Sequence, residues 1–150
     1  MEQVEQLIKL FNEHKIIFVV IGAYSLPPLG YTRTTLDIDI FVKPTRANAK
    51  RTLDALKEFG YDVTDASIVG ILKKKLLIRG YDLDTDIHPF VKGVDFETVW
   101  RNKIKSKIYE TECYFSSLED MIKMKKAAGR VKDKEDLKYL TAILKRKNKK

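Results

Sequence analysis

Two aspartates stand in the middle of the apolar stretch LDIDIFV, whose composition is otherwise that of a buried β-strand. Side chains of a strand alternate between its faces, so Asp37 and Asp39 point the same way, about 6.5 Å apart. Ile38 and Ile40 point the other way, toward a core. Two carboxylates on one face repel each other unless a cation lies between them or water surrounds them. The stretch is therefore either part of a metal site or an exposed strand with one polar face.

A second acidic strand is predicted in YDLDTDIHPF, with Leu83 and Ile87 on its apolar face. Its polar face carries Asp82, Asp84, Asp86 and His88. The Asp-x-Asp-x-Asp spacing also suggests a calcium-binding loop. In such a loop Ile87 and Gly93 would occupy the positions that require Gly and Glu, so this interpretation fails.

A turn of small residues, Gly22 and Ala23, directly follows the apolar run of residues 16–21, which is typical of a strand buried on both faces. Such a turn exposes backbone N–H groups at the start of a helix, where phosphate oxygens bind. Pro27 and Pro28 restrict the next segment to a short irregular helix or a loop.

Helices are predicted around these strands from apolar residues at helical spacing, over residues 4–11 and 137–144, and from capping residues. The caps are Thr45 and Gly60 for a helix through residue 57, Asp95 for a short helix, and Ser117 and Gly129 for a helix through residue 128.

The remaining apolar runs predict more strands and a single domain. Residues 71–78 and 83–90 read as a hairpin, and residues 108–115 as a further strand. No Gly-, Ser- or Pro-rich linker divides the chain, so we expect one domain over residues 1–144 and a basic tail over residues 145–150. The predicted fold class is α+β, with a single mixed β-sheet packed by helices.

Composition excludes several classes of protein. The 150 residues are 44% hydrophobic, with no run long enough for a membrane span and an acidic start unlike a signal peptide. A single cysteine, Cys113, excludes an internal disulfide and a cysteine-rich zinc site, and favours a cytoplasmic location. The net charge of +8 suits a polyanionic partner such as RNA, and equally a solubilising chain end.

The pattern G-A-Y-S-x4-G-x2-R-T-T-x-D-I-D-I-F-V resembles the opening motif of the DNA polymerase β-like nucleotidyltransferase superfamily. It is most similar to the small prokaryotic branch that includes AbiEii-type toxins, which shares the string Arg-x-Thr-x-Asp-Ile-Asp. The resemblance continues through DIHPFVKGVDFETVW and SLEDMIKMKKAAGRVKDKEDL, so that it covers most of residues 17–140.

This resemblance implies a polymerase β palm-like fold with C-terminal helices and the transfer of a nucleoside monophosphate from an NTP such as ATP. It implies that Asp37, Asp39 and a third carboxylate hold one or two Mg²⁺ or Mn²⁺ ions, which bridge the triphosphate as pyrophosphate leaves. The family pattern Asp-Ile/Leu-His/Leu places the third carboxylate at Asp86, with Asp84 as the alternative.

The resemblance also implies a set of nucleotide-binding residues. They are Gly22, Ala23, Ser25, Arg33, Thr35 and Lys126. Ala23 departs from the Gly or Ser that is usual in the family, and we expect this change to weaken triphosphate binding.

Several of these residues keep a structural alternative. Arg33 is either a phosphate ligand or a salt-bridge partner of the aspartates. Lys126, like its neighbours Lys123 and Arg130, is alternatively part of a solvated helix end. We expect His88 to pack on the strand face rather than act as a base. Tyr24 and Trp100 are available for base stacking, but aromatic residues more often lie in cores.

Three functions follow from this sequence. The first is an active nucleotidyltransferase whose acceptor is an RNA end, a protein hydroxyl or a small molecule. The second is an RNA-binding module on the same fold. The third is a catalytically degenerate domain, such as the toxin component of a toxin–antitoxin pair. A chain of 150 residues has little room for an acceptor-recognition domain, so a partner protein or a second copy of the chain is expected.

Overall fold

The computed structural model describes residues 2–22 and 37–149. No helix within these residues combines the length and the apolar character needed to cross a membrane. The elements, in chain order, are α1 (Gln3–Glu13), β1 (Phe18–Ile21), β2 (Asp37–Val42), α2 (Arg46–Phe59), α3 (Ile68–Lys73), β3 (Leu76–Ile78), β4 (Asp84–His88), α4 (Phe96–Arg101), β5 (Ile104–Ile108), β6 (Thr111–Phe115), α5 (Leu118–Ala128) and α6 (Val131–Asn148).

The strands of the described residues form one mixed sheet in the order β3-β4-β2-β1-β6-β5. β2 runs parallel to β4, and β1 runs parallel to β6, while the other neighbouring pairs are antiparallel. The α+β fold with a single mixed sheet is therefore confirmed. Because β1 and β2 are antiparallel, the carboxyl end of β1 lies beside the beginning of β2, where Ile21 pairs with Asp39.

Apolar side chains cover both faces of the sheet, which explains the fully buried β1. On one face Phe11 of α1 and Leu56 of α2 pack with Ile40 of β2. On the other face the ring of Phe41 meets that of Phe96 from α4 edge to face, with centroids 5.1 Å apart. Each fully buried side chain of this size contributes roughly 1.5–3 kcal/mol. The sheet is thus held rigidly between two layers.

The predicted helix ends are confirmed where a capping residue marked them. Thr45 accepts a hydrogen bond from the backbone N–H of Asn48 at the start of α2, and Gly60 ends that helix in the left-handed conformation. Ser117 caps α5 in the same way, and Gly129 ends it with φ +62°. Asp95 caps α4 as expected.

The prediction of a strand over residues 71–78 is wrong for its first part. Residues up to Lys73 belong to α3, and only the last part, β3, pairs with β4 as the expected hairpin. The physical reason lies just upstream, where Ser67 Oγ accepts a hydrogen bond from the backbone N–H of Gly70 and so starts a helix. The cap decides between helix and strand for an apolar run this short.

The single strand predicted over residues 108–115 is also wrong, because Ile108 ends β5 and β6 begins only at Thr111. The two strands form a hairpin that sequence reasoning missed. Glu5 of α1 stabilises its turn, since its Oε2 accepts hydrogen bonds from the Glu110 N–H and the Thr111 hydroxyl, both at 3.0 Å. This contact joins residues far apart in sequence, so local patterns do not reveal it.

α6 confirms the predicted final helix and extends it. Leu140 is fully buried against α5, with Leu137, Ile143 and Leu144 around it. The helix continues through Asn148, so most of the segment expected to form a basic tail is its last turn. The division of the chain at residue 144 stays a prediction.

We predict that Gly93→Ala destabilises the protein more than Gly80→Ala does. Both glycines have a positive φ, +93° and +89°, so both substitutions strain the backbone. A Cβ on Gly93 would lie 2.6 Å from the Cβ of Ala127 in α5, whereas nothing lies within 4 Å at Gly80. The extra crowding should cost about 2 kcal/mol of unfolding free energy, measured by denaturant titration. Equal losses in the two variants would contradict the close packing of this turn on α5.

Candidate functional site

The register of β2 on β4 brings the two acidic strands together. Asp37 pairs with Asp84, and Asp39 pairs with Asp86, along a parallel ladder. Residues at paired positions of neighbouring strands point to the same face of a sheet. The pair between them, Ile38 and Thr85, is buried on the opposite face. The predicted alternation of both strands is therefore confirmed, and their carboxylates share one face of the sheet.

Three side chains of this face converge closely enough to hold a metal ion. Asp39, Asp86 and His88 each offer one ligand atom, and these atoms lie within 4.8 Å of one another. All three side chains are partly buried, with exposed fractions of 32%, 17% and 14% in that order. The two carboxylates suit Mg²⁺ or Mn²⁺, which prefer oxygen ligands, and the imidazole of His88 is placed to orient that of Asp39.

His88 contributes more than the packing that its sequence position indicated. Its Nε2 lies 2.8 Å from Oδ1 of Asp39, so the ring donates a hydrogen bond to that carboxylate and fixes its orientation. The sequence signal that could have revealed this role is the i, i+2 spacing of Asp86 and His88 on the polar face of one strand. Sequence reasoning noted that shared face but did not add His88 to the site.

Gly22 closes the site from β1. It has φ +71°, and a Cβ at this position would lie only 2.7 Å from Oδ2 of Asp39. Only glycine therefore lets the backbone approach the carboxylate this closely. Gly22, the first residue of the predicted small-residue turn, therefore lies directly beside Asp39, while Ala23 lies outside the described residues.

Arg79, just after β3, is a further charged residue beside these carboxylates, and sequence reasoning did not place it at the site. Its guanidinium binds both oxygens of Asp86, with Nη2 donating to Oδ2 at 3.2 Å, and its Nε lies 4.0 Å from Oδ2 of Asp84. The hydrogen bond to Asp86 raises the pKa of Arg79. The negative charges of Asp84 and Asp37 raise it further. A guanidinium thus neutralises part of the acidic face.

A second charged cluster joins α5 to α6. Lys125 Nζ lies 3.4 Å from Asp133 and 3.2 Å from Asp136, and Arg130 Nε donates to Asp133 at 2.7 Å. The hydrogen bond to Asp133 raises the pKa of Arg130, and the charge of Asp39 adds to this shift. The α5–α6 junction therefore places the guanidinium of Arg130 within electrostatic range of Asp39, a member of the three-residue cluster.

Asp133 is almost fully buried, yet it remains a carboxylate. Burial alone would raise its pKa, but the hydrogen bond from Arg130 and the charge of Lys125 outweigh burial. The pKa of Asp133 consequently lies below its ordinary value of 3.8. The charged form is the one that holds the start of α6 on the end of α5.

The other expected site residues have different outcomes. Ala23, Ser25, Arg33 and Thr35, like Tyr24, lie outside the described residues. Asp37 is exposed and Asp84 only partly so, and neither belongs to the three-residue cluster. The role of Asp37 as a metal ligand stays a prediction.

The surroundings of Lys126 and Trp100 favour the structural alternatives, which are a solvated helix end for Lys126 and aromatic packing for Trp100. Lys126 is exposed on α5, whereas its neighbour Lys125 makes the ion pairs, so the role of Lys126 in nucleotide binding stays a prediction. Trp100 stacks on Phe96 and packs edge to face on Tyr114, with the ammonium of Lys103 4.1 Å from its ring centroid.

Comparison with known proteins gives a fold relationship. No protein-family model and no curated protein sequence matches this chain. Among solved structures, it is similar to the lincosamide antibiotic adenylyltransferase LnuA in its lincomycin-bound form. The TM-score is 0.65, with 16% sequence identity over 94% of this chain and 96% of that chain. The chain has a nucleotidyltransferase fold. The polymerase β-like fold implied by the resemblance is thus supported, while the AbiEii-type branch stays a prediction.

We predict that Asp133→Asn lowers the unfolding free energy at pH 7 by about 2 kcal/mol, because charge-assisted hydrogen bonds from Arg130 and Lys125 are lost. The folded-state pKa of Asp133 is depressed, so its contribution is fully present above the ordinary value of 3.8 and disappears as the pH falls through the folded-state pKa. The difference between variant and parent should therefore shrink below that pH.

The matched control for this prediction is Asp54→Asn, which removes an exposed ion pair with Lys50 on α2. An exposed pair four residues apart contributes only about 0.3–0.5 kcal/mol. Denaturant titrations of both variants between pH 7 and pH 3 make the comparison. A pH-independent loss in Asp133→Asn would show that shape rather than charge holds α6 in place.

Proposed function

We propose that this chain is a metal-dependent nucleotidyltransferase, which transfers a nucleoside monophosphate from an NTP to an acceptor and releases pyrophosphate. The observation that carries the proposal is the convergence of Asp39, Asp86 and His88 beside the glycine turn at Gly22. The likeness to an adenylyltransferase over nearly the whole of both chains supports it.

Each residue of the site has a definite task in this proposal. Asp39 and Asp86 would hold Mg²⁺ or Mn²⁺, with Asp37 completing the set as the resemblance implies. His88 orients Asp39 through its hydrogen bond. The bound ion would supply charge stabilisation to the triphosphate and to the departing pyrophosphate. The backbone at Gly22 offers the close approach that phosphate oxygens need.

A small hydroxylated molecule is the first acceptor class to test, because the similar enzyme LnuA is a lincosamide adenylyltransferase whose structure contains lincomycin. An RNA end is the second, favoured by the net charge of +8 and by exposed lysines on α6, Lys134, Lys138 and Lys145. The role of a toxin in a toxin–antitoxin pair is the biological setting that the AbiEii-like resemblance implies.

The direct experiment is incubation of the protein with each α-labelled NTP, Mg²⁺ and one pool of acceptors at a time. The pools are cell RNA, cell protein and small metabolites. Transfer of label to one pool, abolished by chelator, would establish the activity and the acceptor class together. Release of pyrophosphate without labelled acceptor would indicate hydrolysis instead of transfer.

We predict that Asp39→Asn abolishes Mg²⁺-dependent stabilisation by nucleotide. The substitution keeps the shape of the side chain but removes a charged metal ligand. At a ligand concentration of about 100 times Kd the parent should gain roughly 2.7 kcal/mol, seen as a rise in Tm, and the variant should gain almost nothing.

Asp65→Asn serves as the control, because it removes an exposed carboxylate from the segment between α2 and α3. It should respond to Mg²⁺ and nucleotide as the parent does. Melting curves of the three proteins, each with chelator and then with Mg²⁺ and each NTP, make the test. An equal rise in Tm for Asp39→Asn and the parent would exclude Asp39 from the metal site.

A further inference from the structure

Arg79 binds the carboxylate of Asp86, which is also a ligand in the proposed metal site. Its guanidinium contacts both carboxylate oxygens of Asp86, and the same Asp86 belongs to the cluster with Asp39 and His88. A fork that engages both oxygens of a carboxylate is the strongest geometry that arginine forms with it. A divalent cation that uses Asp86 therefore competes with Arg79 for the same oxygen atoms.

The surroundings of Arg79 allow it to leave. Its side chain is 50% exposed, so the guanidinium is not locked into the core. The next residue, Gly80, has φ +89° and open space on the side where a Cβ would lie. Apart from Asp86, the guanidinium donates from Nη1 to the carbonyl oxygen of Ile78 at 3.1 Å, and its Nε lies 4.0 Å from Oδ2 of Asp84. Arg79 can thus rotate away from Asp86 without leaving the site.

We propose, building on the nucleotidyltransferase function above, that Arg79 is an exchangeable counter-ion of the site. Arg79 neutralises Asp86 in the metal-free protein, releases it to the divalent cation, and then binds the phosphate oxygens of the nucleotide. Arginine is suited to both partners, because its fork matches carboxylate and phosphate geometry alike. The same residue would thus relieve carboxylate repulsion in one state and add a phosphate ligand in the other.

The first test measures Mn²⁺ binding without nucleotide, by calorimetry and by the electron paramagnetic resonance signal of free Mn²⁺. Arg79→Gln removes the competitor, so the variant should bind Mn²⁺ about three to ten times more tightly than the parent. Lys75→Gln removes an exposed positive charge from the same segment and should change the affinity less than twofold. Arg79→Lys keeps the charge without the fork and should fall between the parent and Arg79→Gln.

The second test uses Mg²⁺ with inorganic tripolyphosphate, which presents the phosphates without a base. Here Arg79→Gln should bind about tenfold more weakly than the parent, since a charge-assisted phosphate contact is lost. The opposite signs of the two effects are the signature of exchange. A general change in electrostatic potential would also tighten Mn²⁺ binding, but Lys75→Gln would then share the effect.

The outcomes separate this inference from the proposed function. If Arg79→Gln binds Mn²⁺ no more tightly than Lys75→Gln does, or binds none, the exchange is refuted. If its affinity for tripolyphosphate is unchanged, the phosphate role is refuted. The variant Asp39→Asn distinguishes the two proposals. If Asp39→Asn abolishes Mn²⁺ binding while Arg79→Gln binds Mn²⁺ as the parent does, the metal site is supported and only the exchange is refuted. When Asp39→Asn binds Mn²⁺ like the parent, the proposed metal site itself fails.

Discussion

The parallel pairing of β2 with β4 is the interaction on which the candidate site depends. Its register sets Asp37 against Asp84 and Asp39 against Asp86, so that two rows of carboxylates share one face. Each close pair of like charges costs on the order of 1 kcal/mol at a partly wet site. The ladder can keep this register only because the alternate residues, such as Ile38 and Ile40, are fully buried on the other face. A slip of one residue would expose the core and bury the acids.

The remaining features of the site act by relieving that repulsion. Arg79 neutralises Asp86 from the β3 side, and His88 donates a hydrogen bond to Asp39. Gly22 brings the backbone of β1 against Asp39, where any side chain would collide with the carboxylate. The acidic face thus receives hydrogen bonds from Arg79, just after β3, and from His88 of β4. We propose that a face organised in this way exchanges Arg79 for a divalent cation when a metal–nucleotide complex binds.

The α5–α6 hairpin extends the electrostatics of the site beyond the sheet. The buried carboxylate of Asp133 holds Arg130 and Lys125, and Arg130 lies in electrostatic range of Asp39. The turn at Gly93 packs directly on α5, so the hairpin is also fixed mechanically to the segment that follows β4. Helix packing and ion pairing therefore both hold Arg130 within electrostatic range of the cluster of Asp39, Asp86 and His88. Within this segment, the lysine that forms the ion pair with Asp133 is Lys125.

Local patterns in the sequence were sufficient for the α+β class, the alternation of both acidic strands and the helix ends with a capping residue, such as Thr45 and Ser117. Each of these depends on interactions within a few residues, which a sequence displays directly. The β5–β6 hairpin was not predictable in the same way, because Glu5 stabilises its turn from more than a hundred residues away. The contacts of Arg79 with Asp86 and of His88 with Asp39 arise from strand pairing, and the ion pairs of Lys125 with Asp133 and Asp136 arise from the packing of two helices. The sequence by itself therefore determined which residues carry charge and which face each strand presents; only the tertiary structure decided which charges meet, because partners across a sheet or a helix pair are set by register and packing.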